Sequence, residues 1–544
     1  MTDTMLKKIL VSGLIFLLIV SPAPAFTKDN STHLESSKVD PRLRYLINKN
    51  DCTDNTHSKI LKKMNKEFWA DVFIHCSNPS DLVGHEAVQI RLKTESMVVA
   101  WINLSQIQSI IQISTVSFIE AASLCHPLLD QSVPAIQVDR VHNGELGVVY
   151  TGKNVLIGII DYGIDWAHPD FQDGSGNSRI LYLWDQTAVS IQSPNGVVYT
   201  QVELTSEING LTSGHILATD LTGHGTHITG IAAGNGQGTG NGQPGGRYKG
   251  IAHEADLIVV KVEHSGFVHD TNITEAIAFI LEKANDLNRP VAINLSIGQQ
   301  QGSHDGTSSY EKTVDQLMGE KGQVLIVAAG NERNAPIHFK HDFQNENEIF
   351  EVTFEVDCIQ EGQFDYAGFD IWYASGAGLN ISIKTPLGTT YGPVQSLSDS
   401  NWETSEGEIN IDNASGGAYT GNNDMNCYLR ISDTQSSTGF TDNLYPGTWT
   451  LIFQGQPNCR VDGWLFESSS SAWLSSQIDT TTLIAEPGNA RRCLTVGSYI
   501  SRKAWPSLAA DPGQMDFLTV GALSDFSSAG PTRPNSNDPL PRQK

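Results

Sequence analysis

The sequence predicts an α/β protein, with a parallel β-sheet flanked by helices, a small α+β unit ahead of it and a β-sandwich inserted into it. Three observations carry this. Apolar runs of buried-strand type at 155–160, 257–262, 291–297 and 324–328 alternate, over the last three, with helical stretches at 274–288 and 310–319. Strands that alternate with helices imply a parallel sheet covered on both faces, with ligands at the carboxyl ends of its strands. From about 337 to 479 the chain is instead rich in Asn, Ser, Thr and Gly, and helical periodicity nearly vanishes.

Taken in order, the chain opens on a basic pair, Lys7 and Lys8, and an apolar run over 9–20. Ser21-Pro22-Ala23-Pro24-Ala25 then offers an A-x-A cleavage site, so 1–25 reads as a signal peptide and the protein as secreted. The competing reading, a membrane anchor, needs roughly 20 apolar residues, more than this run supplies. Residues 26–50 are polar and read as a tether. Strands are expected at 69–75, 87–92 and 116–120 with a helix at 104–112, which makes a small α+β domain. Within 337–479, short β-type runs at 350–356, 369–373, 379–383 and 448–453 fit a sandwich of jelly-roll type placed in a surface loop. Arg492-Cys493-Leu494-Thr495-Val496-Gly497 resumes the earlier style. The division expected is 1–25, 26–130, 131–336, 337–480 and 481–544, the last completing the domain begun at 131.

Composition narrows the function. A net charge of −25 over 544 residues argues against a nucleic-acid binder, because phosphate contacts need clustered Lys and Arg. No later apolar run is long enough to span a bilayer, so no membrane association is expected once the signal is removed. Of seven cysteines, Cys358, Cys427, Cys459 and Cys493 lie late and have the number for two disulfides, which secretion permits. Buried free thiols remain the alternative. No C-x-x-C points to zinc.

Three places carry chemistry. Asp161 directly follows the strand-like run 155–160, which puts a carboxylate at the carboxyl end of a parallel strand. Taken alone, an Asp there also serves as a turn residue. Gly223-His224-Gly225-Thr226-His227 precedes a small-residue helix with Gly230, Ala233 and Gly234, so His224 sits at or near a helix start. His224 and His227 are three apart, but no Glu or third ligand accompanies them as a zinc site requires. Val327-Ala328-Ala329-Gly330-Asn331 ends a strand on an amide, which suits either a turn or a donor to a developing oxyanion.

Together these words resemble the subtilisin-like (subtilase, peptidase S8) serine proteases. Ile160-Asp161-Tyr162-Gly163-Ile164-Asp165 is similar to the family's aspartate motif, Gly223–Ile228 with Gly230 to its H-G-T-H-x-x-G motif, and Ala328–Asn331 to its A-A-G-N motif. Phe526-Ser527-Ser528-Ala529-Gly530-Pro531 resembles its F-S-S-x-G-P motif. The likeness spans roughly 133–335 and 486–534. It implies His224 as general base, Asp161 as the group that orients it, and Asn331 as oxyanion donor. It also implies that Ser296-Ile297-Gly298 pairs with the substrate backbone, and that 26–130 is an inhibitory, folding-assisting propeptide. An unrelated small binding domain is the other reading of that segment. Tyr162 departs from the Ser or Thr that many members carry, and altered packing is expected there. The inserted β-domain resembles the jelly roll of clostridial germination proteases.

The family's nucleophile sits in G-T-S-x-A-x-P, after the oxyanion Asn. The one G-T-S here, Gly306-Thr307-Ser308, precedes Asn331 and lacks the Ala and Pro. With Glu311 three residues on, Ser308 reads instead as a helix cap. No nucleophilic serine is therefore expected in this chain. A serine beyond Lys544 is expected, with the sequence stopping short of it and the chain as given inactive. The resemblance implies polypeptide substrates, the chain's own propeptide as partner and no required cofactor. Structural calcium is compatible with the turn Asp170-Phe171-Gln172-Asp173-Gly174, which otherwise reads as a solvated loop; the metal site is unassigned. Two alternatives stand: a non-catalytic relative that binds peptides, and a glycan- or surface-binding protein that works through its β-domain.

Overall fold

A computed structural model describes residues 67–121, 147–188, 195–238, 248–263, 267–357, 364–436, 439–468, 471–500 and 519–535, with short pieces such as 38–40, 61–64, 124–127 and 136–145. The expected signal peptide lies outside the described residues.

The N-terminal unit is a mixed α+β layer. Its strands are β1 (Leu61–Met64), β2 (Glu67–Cys76), β3 (Val88–Lys93), β4 (Met97–Asn103) and β5 (Val116–Ala121), with a short helix at Ile107–Ile111. β2 is central: β4 pairs along one edge, while β1 and β5 share the other. Side chains alternate across a strand, and here both sets are apolar. Val72, Ile74, Val98 and Ala100 face Ile107, Ile110 and Ile111 inside the unit. Phe73, Met97 and Val99 point the other way and join the core of the next domain. That double burial is why β4 has no hydrophobic alternation and was not among the expected strands.

A four-residue strand, β6 (Leu124–Pro127), leads into the central sheet. This sheet is built from β7 (Leu156–Asp161), β8 (Ile180–Asp185), β9 (Val197–Thr200), β10 (Asp256–Lys261), β12 (Val291–Leu295), β14 (Gln323–Ala328) and the strand Cys493–Val496, with β11 (Val268–His269) and β13 (Ile297–Gly298) outside it. Its order is Cys493–Val496, β14, β12, β7, β10, β8, β9. All neighbours are parallel except β9, an antiparallel edge. The run expected as one strand over 291–297 breaks after Leu295. Ile297 and Gly298 leave the sheet as β13 and pair with β6.

The helices Asp270–Asp286 and Ser309–Leu317 cover one face, where Ile277, Ile280 and Val314 meet Leu156, Ile258, Ile293 and Leu325. The helix His224–Ala233 covers part of the other, with Ile228 against Ile159, Leu257 and Val259. Among the described residues, nothing covers the rest of that second face. In the row Asn294, Ile326, Leu494 and its neighbour Ala328, Val496, Leu494 is 60% and Val496 53% exposed. Full coverage of both faces, as the sequence implies, is not what the described residues show.

Residues 338–474 form two antiparallel sheets packed face to face. One has the strands His338–Asp342, Arg460–Ser468, Tyr366–Ala374, Asp424–Ser432, Gly407–Asn413 and Ser398–Thr404 in that order; the other has Thr390–Val394, Asn380–Lys384, Gly447–Gly455, Glu348–Asp357 and Ser471–Leu474. Phe354 and Phe369 meet edge to face between them at 4.8 Å, over Val352, Ile371, Leu429 and Trp449. Cys427 and Cys459 in this unit, and Cys76 and Cys493 outside it, are buried free thiols. Two bridges among the late cysteines are thus excluded; Cys358 lies outside the described residues.

Candidate active site

Asp161 is the last residue of β7, and His224 the first of its helix, so two elements converge at the carboxyl end of the sheet. The approach is set by glycine. A Cβ on Gly225 would lie 2.0 Å from Gly163 O and 3.0 Å from Asp161 Cβ, and one on Gly163 (φ +143°) would lie 2.2 Å from Thr219 O. With both as glycine, His224 Nδ1 reaches Asp161 Oδ1 at 2.6 Å. Tyr162 N–H donates to the same oxygen at 2.8 Å.

Asp161 is fully buried, and its Oδ2 has no hydrogen-bond partner among the described residues. Burial pushes its carboxyl above the usual range, against the opposing pull of His224 and of the Tyr162 N–H. When Nδ1 donates to Asp161, Nε2 carries the ring's lone pair, and it too is buried and unpartnered. The Tyr162 ring stands edge-on to His224, with centroids 5.9 Å apart.

Asp220, which the sequence reading passed over, anchors the loop before the helix. Its carboxylate accepts from Gly223 N–H at 2.8 Å and from Thr226 N–H and Oγ1–H at 2.8 and 2.7 Å. Burial alone would raise its pKa; these donors outweigh that and hold it below the usual range. An Asp three residues before a glycine-started helix was the available signal. His227 is exposed on the outer side, and the described residues hold no metal-competent group containing it or His224.

Asn331 lies three residues past β14 with its side chain exposed. The turn before it is tied to the F-S-S-x-G-P segment: Ser528 N–H donates to Gly330 O at 2.9 Å, and Arg333 N–H to Phe526 O at 3.1 Å. Glu332 Oε2 accepts from Asn331 N–H at 2.7 Å and from Gln300 Nε2 at 3.1 Å, and its carboxyl is raised by burial. Two motifs distant in sequence therefore meet.

Ser296, Ile297 and Gly298 stand beside the dyad, since Leu295 pairs with Ile160, the residue before Asp161. Ile297 pairs with Pro127 and Gly298 with His126, while Val268 and His269 of β11 pair with Cys125 and Leu124. β6 is thus an extended segment of the chain held between two walls, antiparallel to each. Ser308 caps the Ser309–Leu317 helix, accepting from Glu311 N–H at 3.2 Å. In the turn 170–174, the Asp173 carboxylate is taken up by Ser175 N–H, Asn177 N–H and Asn177 Nδ2, so the turn closes on its own donors. The described residues place one carboxylate trio within reach of a shared cation, Asp365, Asp433 and Asp442, in the sandwich and not in this turn.

The subtilase family profile matches residues 152–361, a span that contains Asp161, His224 and Asn331. The match makes the domain that carries the dyad, up to about residue 337, a subtilase-family domain, and the last part of the match runs on into the first strands of the sandwich. The chain is 31% identical over 193 residues to the subtilisin of Bacillus sp. (strain TA39), covering 35% of this chain and 37% of that protein. The minor extracellular protease Vpr of Bacillus subtilis (strain 168) is 28% identical over 205 residues, 38% of this chain and 20% of that protein. The chain thus spans 37% of the length of the first of these two relatives and 20% of the second. Among solved structures, the CspB protease of Clostridium perfringens shares the fold with a TM-score of 0.60 and 23% identity, over 74% of this chain and 77% of that one. That likeness extends beyond the subtilase domain. Among the described residues no helix is long and apolar enough to cross a membrane.

Proposed function

We propose that this chain is the greater part of a secreted subtilisin-like serine endopeptidase precursor that hydrolyses peptide bonds of polypeptides. The observation that carries the reading is the Asp161–His224 pair: a buried carboxylate on Nδ1, and an unpartnered Nε2 at the carboxyl end of a parallel sheet. A serine hydroxyl brought to Nε2 loses its proton there as its oxygen attacks the substrate carbonyl. Asp161 fixes the tautomer and stabilises the imidazolium, and Asn331 donates to the oxyanion. His224 then returns the proton to the leaving amine, and water completes hydrolysis by the same route.

The serine belongs, in this proposal, to a G-T-S-x-A-x-P segment that follows Lys544. The helix it opens would cover the open face around Ile326, Leu494 and Val496, as a parallel sheet requires. Residues 1–25 direct secretion. Residues 26–130 act as propeptide, with β6 in the place of a substrate strand between β11 and β13. The triad needs no cofactor; the turn at 170–174, whose Asp173 carboxylate accepts from Ser175 and Asn177, reads as a solvated loop, with structural calcium as the alternative.

The test is to read the gene past the codon for Lys544 and to assay the secreted product on casein. An open frame that reaches G-T-S-x-A-x-P, with activity that drops at least about a hundredfold in His224→Ala, is expected. Full activity in that variant would remove His224 from the mechanism. An immediate stop codon with an inert product would favour a non-catalytic relative.

A further inference from the structure

The N-terminal unit and the subtilase domain meet over a buried ionic cluster that the proposed chemistry does not use. Asp71 on β2 and Arg91 on β3 come from the first; His269, Thr271 and Glu275 come from β11 and the helix Asp270–Asp286. Asp71 is fully buried, and Oδ1 is bonded to Arg91 Nη2. Its Oδ2 accepts from Thr271 Oγ1 at 2.8 Å and lies 3.4 Å from His269 Nδ1. Arg91 Nε stands 2.9 Å from Glu275 Oε1, and Nη1 donates to Asn272 Oδ1 at 3.3 Å. The guanidinium is closed off by Trp101, 5.1 Å from the ring centroid. Both Arg91 and Glu275 have side chains under a tenth exposed.

The charge count does not balance. Two carboxylates face one guanidinium, which leaves one negative charge in excess whenever His269 is neutral. A surplus charge buried in an interface is disfavoured, and proton uptake is the simplest way to remove it.

We propose that docking of the N-terminal unit on the subtilase domain is proton-linked, the closed interface holding in the Asp71–Arg91–Glu275–His269 cluster one proton that the open interface releases. Glu275 is its site. Burial pushes that carboxyl up; Arg91 opposes the shift and Asp71 adds to it, and the outcome is about 7. Asp71 goes the other way, because Arg91, His269 and Thr271 outweigh its burial. A carboxyl raised in the closed state contributes fully to docking below its free value near 4.5, and that contribution is lost as pH rises through about 7. Asp71 is ionised in both states across this window and adds no slope. One proton corresponds to docking weakened about tenfold per pH unit.

The cluster also reaches the cleft. His269 faces Asp71 and is at the same time the residue of β11 that pairs with Leu124 of β6. Opening the cluster therefore loosens one wall around β6, so that rising pH would uncover the cleft.

Hydrogen exchange on the full chain tests this without requiring proteolysis, so the outcome is separate from that of the protease reading. Protection factors, corrected for intrinsic rates, are measured for amides 271–276 from pH 5 to 8. They should fall about tenfold per pH unit between pH 5 and 7 and level off above. Glu275→Gln keeps the side chain's size but cannot ionise, and should flatten the slope. Asp71→Asn leaves Arg91 one carboxylate to neutralise, and should flatten it too. Protection in the sandwich strands reports whether each variant has folded; if one has not, the other decides. A parent chain without the slope, or a slope that survives in a folded variant of either kind, overturns the proposal.

Discussion

Gly225 decides how near the helix that carries His224 can come to Asp161. An added Cβ would meet Gly163 O at 2.0 Å, and a backbone carbonyl cannot swing aside as a side-chain tip can. The helix start would have to retreat by about an ångström, and the 2.6 Å bond from His224 Nδ1 would open. A displacement of that size in a catalytic constellation costs on the order of a hundredfold. Gly225→Ala in the active gene product is accordingly expected to lower kcat/KM by about that factor, with the sandwich's hydrogen-exchange protection unchanged. Activity within threefold of the parent would show that another contact holds the dyad. The placement of these residues was legible in the sequence, an acid at a strand end and a histidine at a glycine-started helix, whereas their roles were implied by the family resemblance alone. The orphaned Oδ2 of Asp161 was not legible, since it depends on what the fold fails to bring near.

At the scale of elements, Ser308 separates two readings of the same three letters. It caps the helix Ser309–Leu317, with Oγ 3.2 Å from Glu311 N, and Glu311 sends its own carboxylate across to Asn489 N–H at 2.9 Å. Ser308→Ala should therefore destabilise the helix by about 1 kcal/mol, read as a lower melting temperature, and leave hydrolysis by the active gene product intact. Loss of all activity in a folded Ser308→Ala protein would make it a candidate nucleophile after all. The elements recovered from sequence are those with a clean period or a continuous apolar run, such as β7, β10, β12, β14 and the helix Asp270–Asp286. β4 and β8 escaped because their two faces are buried against different partners, which erases alternation without producing a long run. The break that frees β13 from β12 escaped too, since Ser296 interrupts the run by one residue and only the pairing of β6 shows its consequence.

For the whole molecule, what the sequence could not convey is how its units meet, because contacts between residues hundreds of positions apart have no periodic signature. Arg44, near the N-terminus, donates from Nε to Asp412 Oδ2 of the sandwich at 2.8 Å, with Nη2 at 2.7 Å from the same oxygen; both side chains are under a tenth exposed. Tyr419 of the sandwich adds a bond from its hydroxyl to Glu120 at 3.0 Å and an edge contact to Phe118 at 5.5 Å. Glu120 and Phe118 share the face of Phe73, so Tyr419 docks on the N-terminal unit beside the helix Ser309–Leu317, whose Ser309 also reaches Glu120. Removing one member of a buried ion pair strands the other, at a cost of about 3–5 kcal/mol, whereas replacing both by apolar groups is often neutral. Arg44→Met alone should lower hydrogen-exchange protection in β2 and β5 by at least about a hundredfold. Combining it with Asp412→Leu should restore most of that loss, because the stranded carboxylate is gone. If the double variant is as open as the single one, the pair does not couple these units, and the aromatic contacts of Tyr419 carry the docking instead.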